Sequence, residues 1–361
     1  MERQKEIPFE TEEERKPVEY KRRKRYKGTH PKKFSEKYKE LDPNRYADTI
    51  ENVIAKGGTP AGMHISIMVQ EILDVLEIQP GQQGLDATLG YGGHTKRMLE
   101  CLLGEGHIYA MDVDPIESRK TKQRLEKVGY GKDLLTIREM NFAQVDELAE
   151  EVGGFDFILA DLGVSSMQID NPERGFSYKQ DGPLDLRLNP EEGISAAQRL
   201  QEMDKAELIG MLEENADEPY AEEIAQAVIS ERKKGRPVET TRQLAALVER
   251  ALVMVPEQER AEAVRKSCAR TFQALRIDVN HEFEVLDAFL EKLPNVLNPG
   301  GRVAILTFHS GEDRLVKKSF KRHKKKGDYS AVAKEVVRPS REECIRNHRA
   351  RSTKLRWAVK A

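Results

Sequence analysis

The sequence predicts an α/β fold: a mostly parallel sheet with helices on both faces, and an all-helical insertion after the fourth strand. Three observations predict it. Between Gly84 and Leu162, short apolar runs alternate with stretches of helical periodicity, the pattern of parallel strands joined by crossover helices. Residues 195–270 carry no strand pattern and are rich in Ala, Leu, Glu and Lys. A strand pattern then returns at Arg302–Phe308.

The elements follow in order. Ile67, Val69, Ile72, Leu73, Leu76 and Ile78 recur at helical spacing until Pro80-Gly81 stops them. Gly84–Leu89 reads as a strand, Thr95–Leu103 as a helix and His107–Val113 as a strand. Pro115–Val128 reads as a helix, and Leu134–Met140 and Phe155–Leu162 as strands. Breaks at Gly235-Arg236-Pro237 and Pro256 divide the helical insertion. The turn Asn298-Pro-Gly-Gly301 precedes the returning strand, and Lys354–Val359 alternates polar with apolar residues, as a last, half-buried strand does. The expected organisation is an extension over 1–62, core over 63–175, insertion over 176–272 and core again over 273–361. The extension holds a short helix at 44–56, broken by Gly57-Gly58-Thr59-Pro60.

At 361 residues the chain has room for about two domains. No apolar run of about 18 residues exists, which argues against a transmembrane helix. The opening Met1-Glu-Arg-Gln-Lys lacks the apolar stretch of a secretory signal. Cys101, Cys268 and Cys344 lie far apart, form no zinc pattern and fit a reducing cytoplasm. No metal is expected. The net charge of −2 hides an asymmetry: +9 over residues 16–39, +13 over 314–361 and −24 on the rest. Basic ends on an acidic body suggest a polyanionic partner such as nucleic acid.

Chemistry concentrates in six segments. In Leu85-Asp-Ala-Thr-Leu-Gly-Tyr-Gly-Gly-His94, glycines 90, 92 and 93 let the backbone turn tightly and approach a ligand. Thr95 stands where a dinucleotide fingerprint needs its last glycine, which disfavours a pyrophosphate and favours an adenosyl ligand. Asp112 ends the second strand, where an acid can grip both ribose hydroxyls. Asp114 before Pro115 reads as a helix cap. Asn141-Phe142 follows the third strand, where Phe142 either flanks an adenine or packs. Asp161 ends the fourth strand and opens a long polar loop holding Gln168, Arg174, Asp185 and Arg187. Arg270, Arg276 and Asn280 either line a rim or make ordinary helix-surface contacts. His309 leaves the returning strand, and imidazole is the side chain whose ordinary pKa lies nearest neutrality.

Together these segments resemble the bacterial 16S rRNA cytosine-N4 methyltransferases, the RsmH (MraW) family, colinearly from about Met63 to Ala361. The motifs are the Gly-Gly-His loop, DLGVSS at 161–166, RGFS at 174–177, GPLDLR at 182–187 and RTFQALRIDVN at 270–280. FHSGEDR at 308–314 and NHRARSTKLR at 347–356 complete them. The resemblance implies a class I, Rossmann-like fold dependent on S-adenosylmethionine, acting on N4 of one cytidine in the ribosomal decoding region. It assigns the cofactor to Gly92, Gly93, His94, Asp112, Phe142, Asp161 and Gln168, to which the glycine turn itself adds Gly90. Asp161 is the first candidate for the acceptor of the amine protons, with His309 and Asp185 as further candidates. Arg174, Arg187, Arg270, Arg276, Arg314, Arg349, Arg351 and Arg356 are the expected RNA contacts, and Phe176 or Tyr178 the expected platform for an unstacked base. The implied partner is 16S rRNA or the small ribosomal subunit, not a membrane. The oligomeric state stays open, a dimer included.

Three departures stand out. Gly311 replaces the usual Leu, Asn347-His-Arg-Ala-Arg-Ser-Thr353 replaces Asn-Pro-Arg-Ser-Arg-Ser-Ala, and the basic extension lies outside the usual pattern. The chain looks like a longer, second-copy variant. The competing readings are an amino methyltransferase for DNA or another RNA, and a ribosome-assembly factor without turnover. The intact glycine loop and Asp112 argue against the latter.

Overall fold

A computed structural model describes residues 66–361. The expected extension, with its helix at 44–56, lies outside the described residues.

One seven-stranded sheet organises the chain, in the order β3-β2-β1-β4-β5-β7-β6. The strands are β1 (Gln83–Asp86), β2 (His107–Asp112), β3 (Leu135–Glu139), β4 (Phe155–Asp161), β5 (Leu297–Thr307), β6 (Tyr329–Val332) and β7 (Lys354–Lys360). The first five run parallel, and β7 pairs antiparallel with both β5 and β6. This is the class I, Rossmann-like architecture. The expected last, half-buried strand is present as β7, and it lies between β5 and a strand the sequence did not show. Its outer neighbour β6 is only four residues long, too short to show a clear alternation.

Helices cover both faces. On one lie α1 (Val69–Leu76), α2 (Gly93–Cys101) and α3 (Pro115–Lys127). Ile72, Leu76, Met98, Leu99 and Leu125 bury there against Ile108, Phe157 and Leu159. On the other lie α4 (Val145–Val152), α11 (Glu282–Val296) and α12 (Ser310–Lys326), which bury Leu148, Phe289, Leu290, Val316 and Phe320 against Ile158 and Ile305. Gly84 is required by close approach: a Cβ there would lie 2.0 Å from the Phe157 ring.

Between β4 and α11 come a short α5 (Ser166–Asp170) and five longer helices. These are α6 (Ala196–Glu202), α7 (Lys205–Ala216), α8 (Ala221–Lys233), α9 (Thr241–Ala251) and α10 (Glu257–Val279). They enclose their own core of residues such as Leu200, Leu212, Ile224, Leu244 and Leu275. Leu184 and Leu186 belong to that core, and Phe176 and Tyr178 pack against it. A boundary at 272 would cut α10, which runs unbroken to Val279. A last short helix, α13 (Arg341–Arg346), precedes β7. Among the described residues no helix is long and apolar enough to cross a membrane.

Candidate active site

The carboxyl ends of β1, β2, β4 and β5 open onto a cavity of about 460 Å³. Its floor is the glycine turn. Gly90 and Gly92 have φ of 47° and 77°, left-handed values that favour glycine. Gly92 N–H donates to the Leu89 carbonyl at 2.7 Å, which closes the turn. Thr121 and Arg124 of α3 hold it from outside, through the Gly90 and Tyr91 carbonyls.

Acids ring this turn. Asp112 accepts N–H from Gly90 at 2.7 Å and from Asp114 at 2.8 Å, one on each oxygen. Burial nonetheless dominates and pushes its pKa up to about 7. Asp86 is buried; Thr95 Oγ1 donates to it at 2.6 Å, yet desolvation still raises its pKa. Thr95, the residue that breaks the dinucleotide pattern, is thereby a buried support for β1.

Asp161 is the most exceptional group. Its Oδ2 lies 3.4 Å from His94 Nδ1, and its Oδ1 is enclosed without a hydrogen-bond partner. Burial raises its pKa to about 6, against the opposing charge of His94 and with help from Asp86 and Glu312. His94 Nε2 is 2.9 Å from the Ile67 carbonyl, which can only accept, so Nε2 carries a hydrogen and Nδ1 faces Asp161.

Val113, Met140, Asn141 and Phe142 form one wall. Phe142 both lines the cavity and meets Phe289 edge-on at 5.1 Å. Asn141 turns inward to cap the following turn through Ala143 N–H. The opposite wall holds Arg276, Asn280, Glu282 and Glu312. Arg276 grips Glu282 in a bidentate pair at 2.8 and 2.9 Å. Burial raises Glu312, but His309, Arg276 and the Phe308 N–H outweigh it and hold it below the usual carboxylate range. Asn280 accepts from Leu188 N–H and donates to the Leu186 carbonyl, clamping a loop in which Leu186 itself has φ 64°.

Other expected site residues are placed differently. Gln168 lines the cavity, but its Nε2 donates to Asp114 and its Oε1 accepts from Ser165 N–H. Asp114 caps α3 through Ile116 and Glu117, as the Asp-Pro pair predicts. Its second oxygen takes Arg174 Nη1 at 2.7 Å. Arg174 also donates to the Arg187 and Leu188 carbonyls, so it is a buried strut and offers nothing to an RNA. Arg356 is likewise buried, on Asp313. Asp185 faces away from the cavity, held bidentate by Arg187. His309 lies behind Glu312, with Nε2 3.2 Å from it and its ring against Phe283. Phe176 and Tyr178 point into the helical core, where a packed neighbourhood outbids a flipped base. Arg349 lines the cavity mouth and pairs with Asp170. Arg314 and Arg351 are exposed, and Arg270 is half-buried outside the cavity. Asp86, Glu282 and Glu312 had not been singled out. Asp86 and Glu312 lie within motifs already noted and Glu282 two residues past one, and a carboxylate at or just past a strand's carboxyl end was the signal for Asp86 and Glu312.

The residues suit an adenosyl sulfonium: an acid for a ribose diol, an apolar and aromatic slot for a flat base, and enclosed carboxylates facing a cation. The profile of the MraW methylase family matches residues 61–361. Ribosomal RNA small subunit methyltransferase H 1 of Lachnoclostridium phytofermentans is 66% identical over 97% of this chain and 95% of its own length. The protein of the same name from Agathobacter rectalis is 65% identical, over 95% and 98% respectively. Ribosomal RNA small subunit methyltransferase H of Koribacter versatilis is 37% identical, over 87% and 99%.

Proposed function

The chain belongs to the MraW methylase family, and from that premise we propose that it methylates N4 of a cytidine in the decoding region of 16S rRNA, with S-adenosylmethionine as donor. The relatives named for small-subunit ribosomal RNA support the substrate. The observation that carries the chemistry is the Asp161 carboxyl, which lines the cavity between the glycine turn and the charged wall with Oδ2 3.4 Å from His94 Nδ1.

When bound, the cofactor supplies a methyl group already activated by positive sulfur. The chain's own residues then have three tasks. Asp112 would hold the ribose hydroxyls on lone pairs left beside its two backbone N–H bonds. Val113, Met140 and Phe142, which line the cavity, would hold the adenine. The Asp161 carboxylate would accept an N–H of the cytosine amine, which turns the nitrogen lone pair out of conjugation and toward the methyl carbon. As the N–C bond forms at the expense of the S–C bond, the amine proton would pass to the Asp161 carboxylate. His94 keeps the carboxyl oriented through Oδ2. The elevated pKa of Asp161 suits a group that takes a proton near neutrality. Enclosure excludes water from the reacting atoms.

The test uses small subunits from cells lacking this protein, incubated with the enzyme and methyl-labelled donor. Label in N4-methylcytidine at one decoding-region position is the expected result. Label in another nucleoside, or none, refutes the proposal.

A further inference from the structure

We propose that the outward face of α12 is a phosphate track along which the RNA strand leaves the cavity. This inference rests on the RNA reading above. α12 starts at the site, since Glu312 in its first turn is part of the cavity wall. Asp313 beside it is anchored by Lys354 and Arg356 of β7, which fixes the direction in which the helix departs.

From 314 to 326 the helix carries eight Lys and Arg residues, all exposed, and no Asp or Glu. At 3.6 residues per turn, Arg314, Lys317, Lys318, Lys321 and Lys325 fall on one stripe. The stripe is roughly 16 Å long at about 1.5 Å per residue. Val316, Ser319, Phe320 and His323 bury the opposite side. Arg322 pairs with Glu291, and Lys324 donates to the Ser330 carbonyl. Among the described residues the five stripe cations have no side-chain ion pair or hydrogen bond.

Helix stability does not account for the stripe. Cations favour the last turn of a helix, where Lys324, Lys325 and Lys326 stand. Arg314, Lys317 and Lys318 lie toward the positive end, and like charges three and four residues apart repel. A polyanion along the stripe relieves both costs. A membrane surface fits less well. Helices that lie on bilayers expose apolar side chains beside their cations, whereas the exposed large apolar residues here all lie on other elements.

The test is the triple variant Lys317→Ala, Lys318→Ala, Lys321→Ala in the full chain. RNA binding to a decoding-region fragment of 16S rRNA is measured against KCl concentration. Loss of three phosphate contacts lowers the log–log salt slope by about 2, at about 0.7 per contact for a single strand. KM for RNA rises, the corresponding triple Lys→Arg variant keeps the wild-type slope, and affinity for S-adenosylhomocysteine stays unchanged. An unaltered slope in the Ala variant overturns the track. So does loss of binding to phosphatidylserine vesicles with RNA binding intact, which reassigns the stripe to a membrane. If the wild-type chain methylates no RNA, the functional proposal fails instead; that outcome is distinct from an active wild type with an insensitive variant.

Discussion

With Asp112 as the proposed holder of the ribose diol, cofactor binding is expected to depend on pH in a direction set by that carboxyl's raised pKa. Its carboxyl sits at about 7 in the free protein, mainly because burial penalises the charge. A ribose diol donates hydrogen bonds, so it binds the ionised form. The ionised fraction rises from about one-eleventh at pH 6 to about ten-elevenths at pH 8, a tenfold gain worth about 1.4 kcal/mol. Binding therefore tightens with pH and releases a proton. The free protein behaves oppositely. Its native state keeps a proton that the unfolded chain gives up near 3.8, so stability is greatest below that value. It falls as pH rises toward about 7, by on the order of 4 kcal/mol from this group alone. Titration calorimetry with methylthioadenosine, which carries the ribose but no titrating amino acid, isolates the effect, and buffers of different ionisation enthalpy count the proton. Asp112→Asn should bind more weakly and flatten the profile. An affinity constant from pH 6 to 8 in the unaltered protein would refute the role given to Asp112.

Four further outcomes are expected. Asp161→Asn lowers single-turnover methyl transfer by about 10²- to 10⁴-fold, the usual worth of a positioned acid–base group, while the protein stays folded by circular dichroism. Arg174→Met leaves the Asp114 carboxylate buried without its cation and costs about 3–5 kcal/mol in urea unfolding. Gly311→Leu drives a Cβ to 2.5 Å from the Phe283 ring, so stability falls by about 1–3 kcal/mol. Adding Phe283→Ala should restore most of that loss, and non-additivity in the double variant measures the contact.

The parts of the molecule legible in the sequence are those governed by local chemistry. Short apolar runs placed β1 to β5, and Asp114-Pro115 announced the start of α3. The glycine turn and Asp112 stood where strand ends must face a ligand. What the sequence could not reveal depends on partners far along the chain. Arg174 and Arg356 look like any surface arginine until Asp114 and Asp313 arrive from other strands and helices to bury them. Asp185 and Arg187 satisfy each other within one short loop, and no spacing rule distinguishes that from a catalytic acid beside a substrate-binding base. The aromatic pair at 176 and 178 belongs to the helical core because Phe272 stands opposite Tyr178, and α10 brings it there from almost a hundred residues away.

The path of the chain between β4 and β5 bears on how the molecule assembles. These strands pair directly, yet the backbone leaves at Asp161 and returns only at Leu297. Closing so long an excursion as a random coil would cost on the order of 4 kcal/mol in chain entropy before any ladder bond formed. Five of the intervening helices, α6 to α10, carry a separate interior, so they can collapse first and draw the two ends of the detour together. Asn280 then grips Leu186 and Leu188, and that single amide shortens the remaining slack before β5 reaches its neighbour. Substituting it should slow refolding more than its two hydrogen bonds alone would suggest.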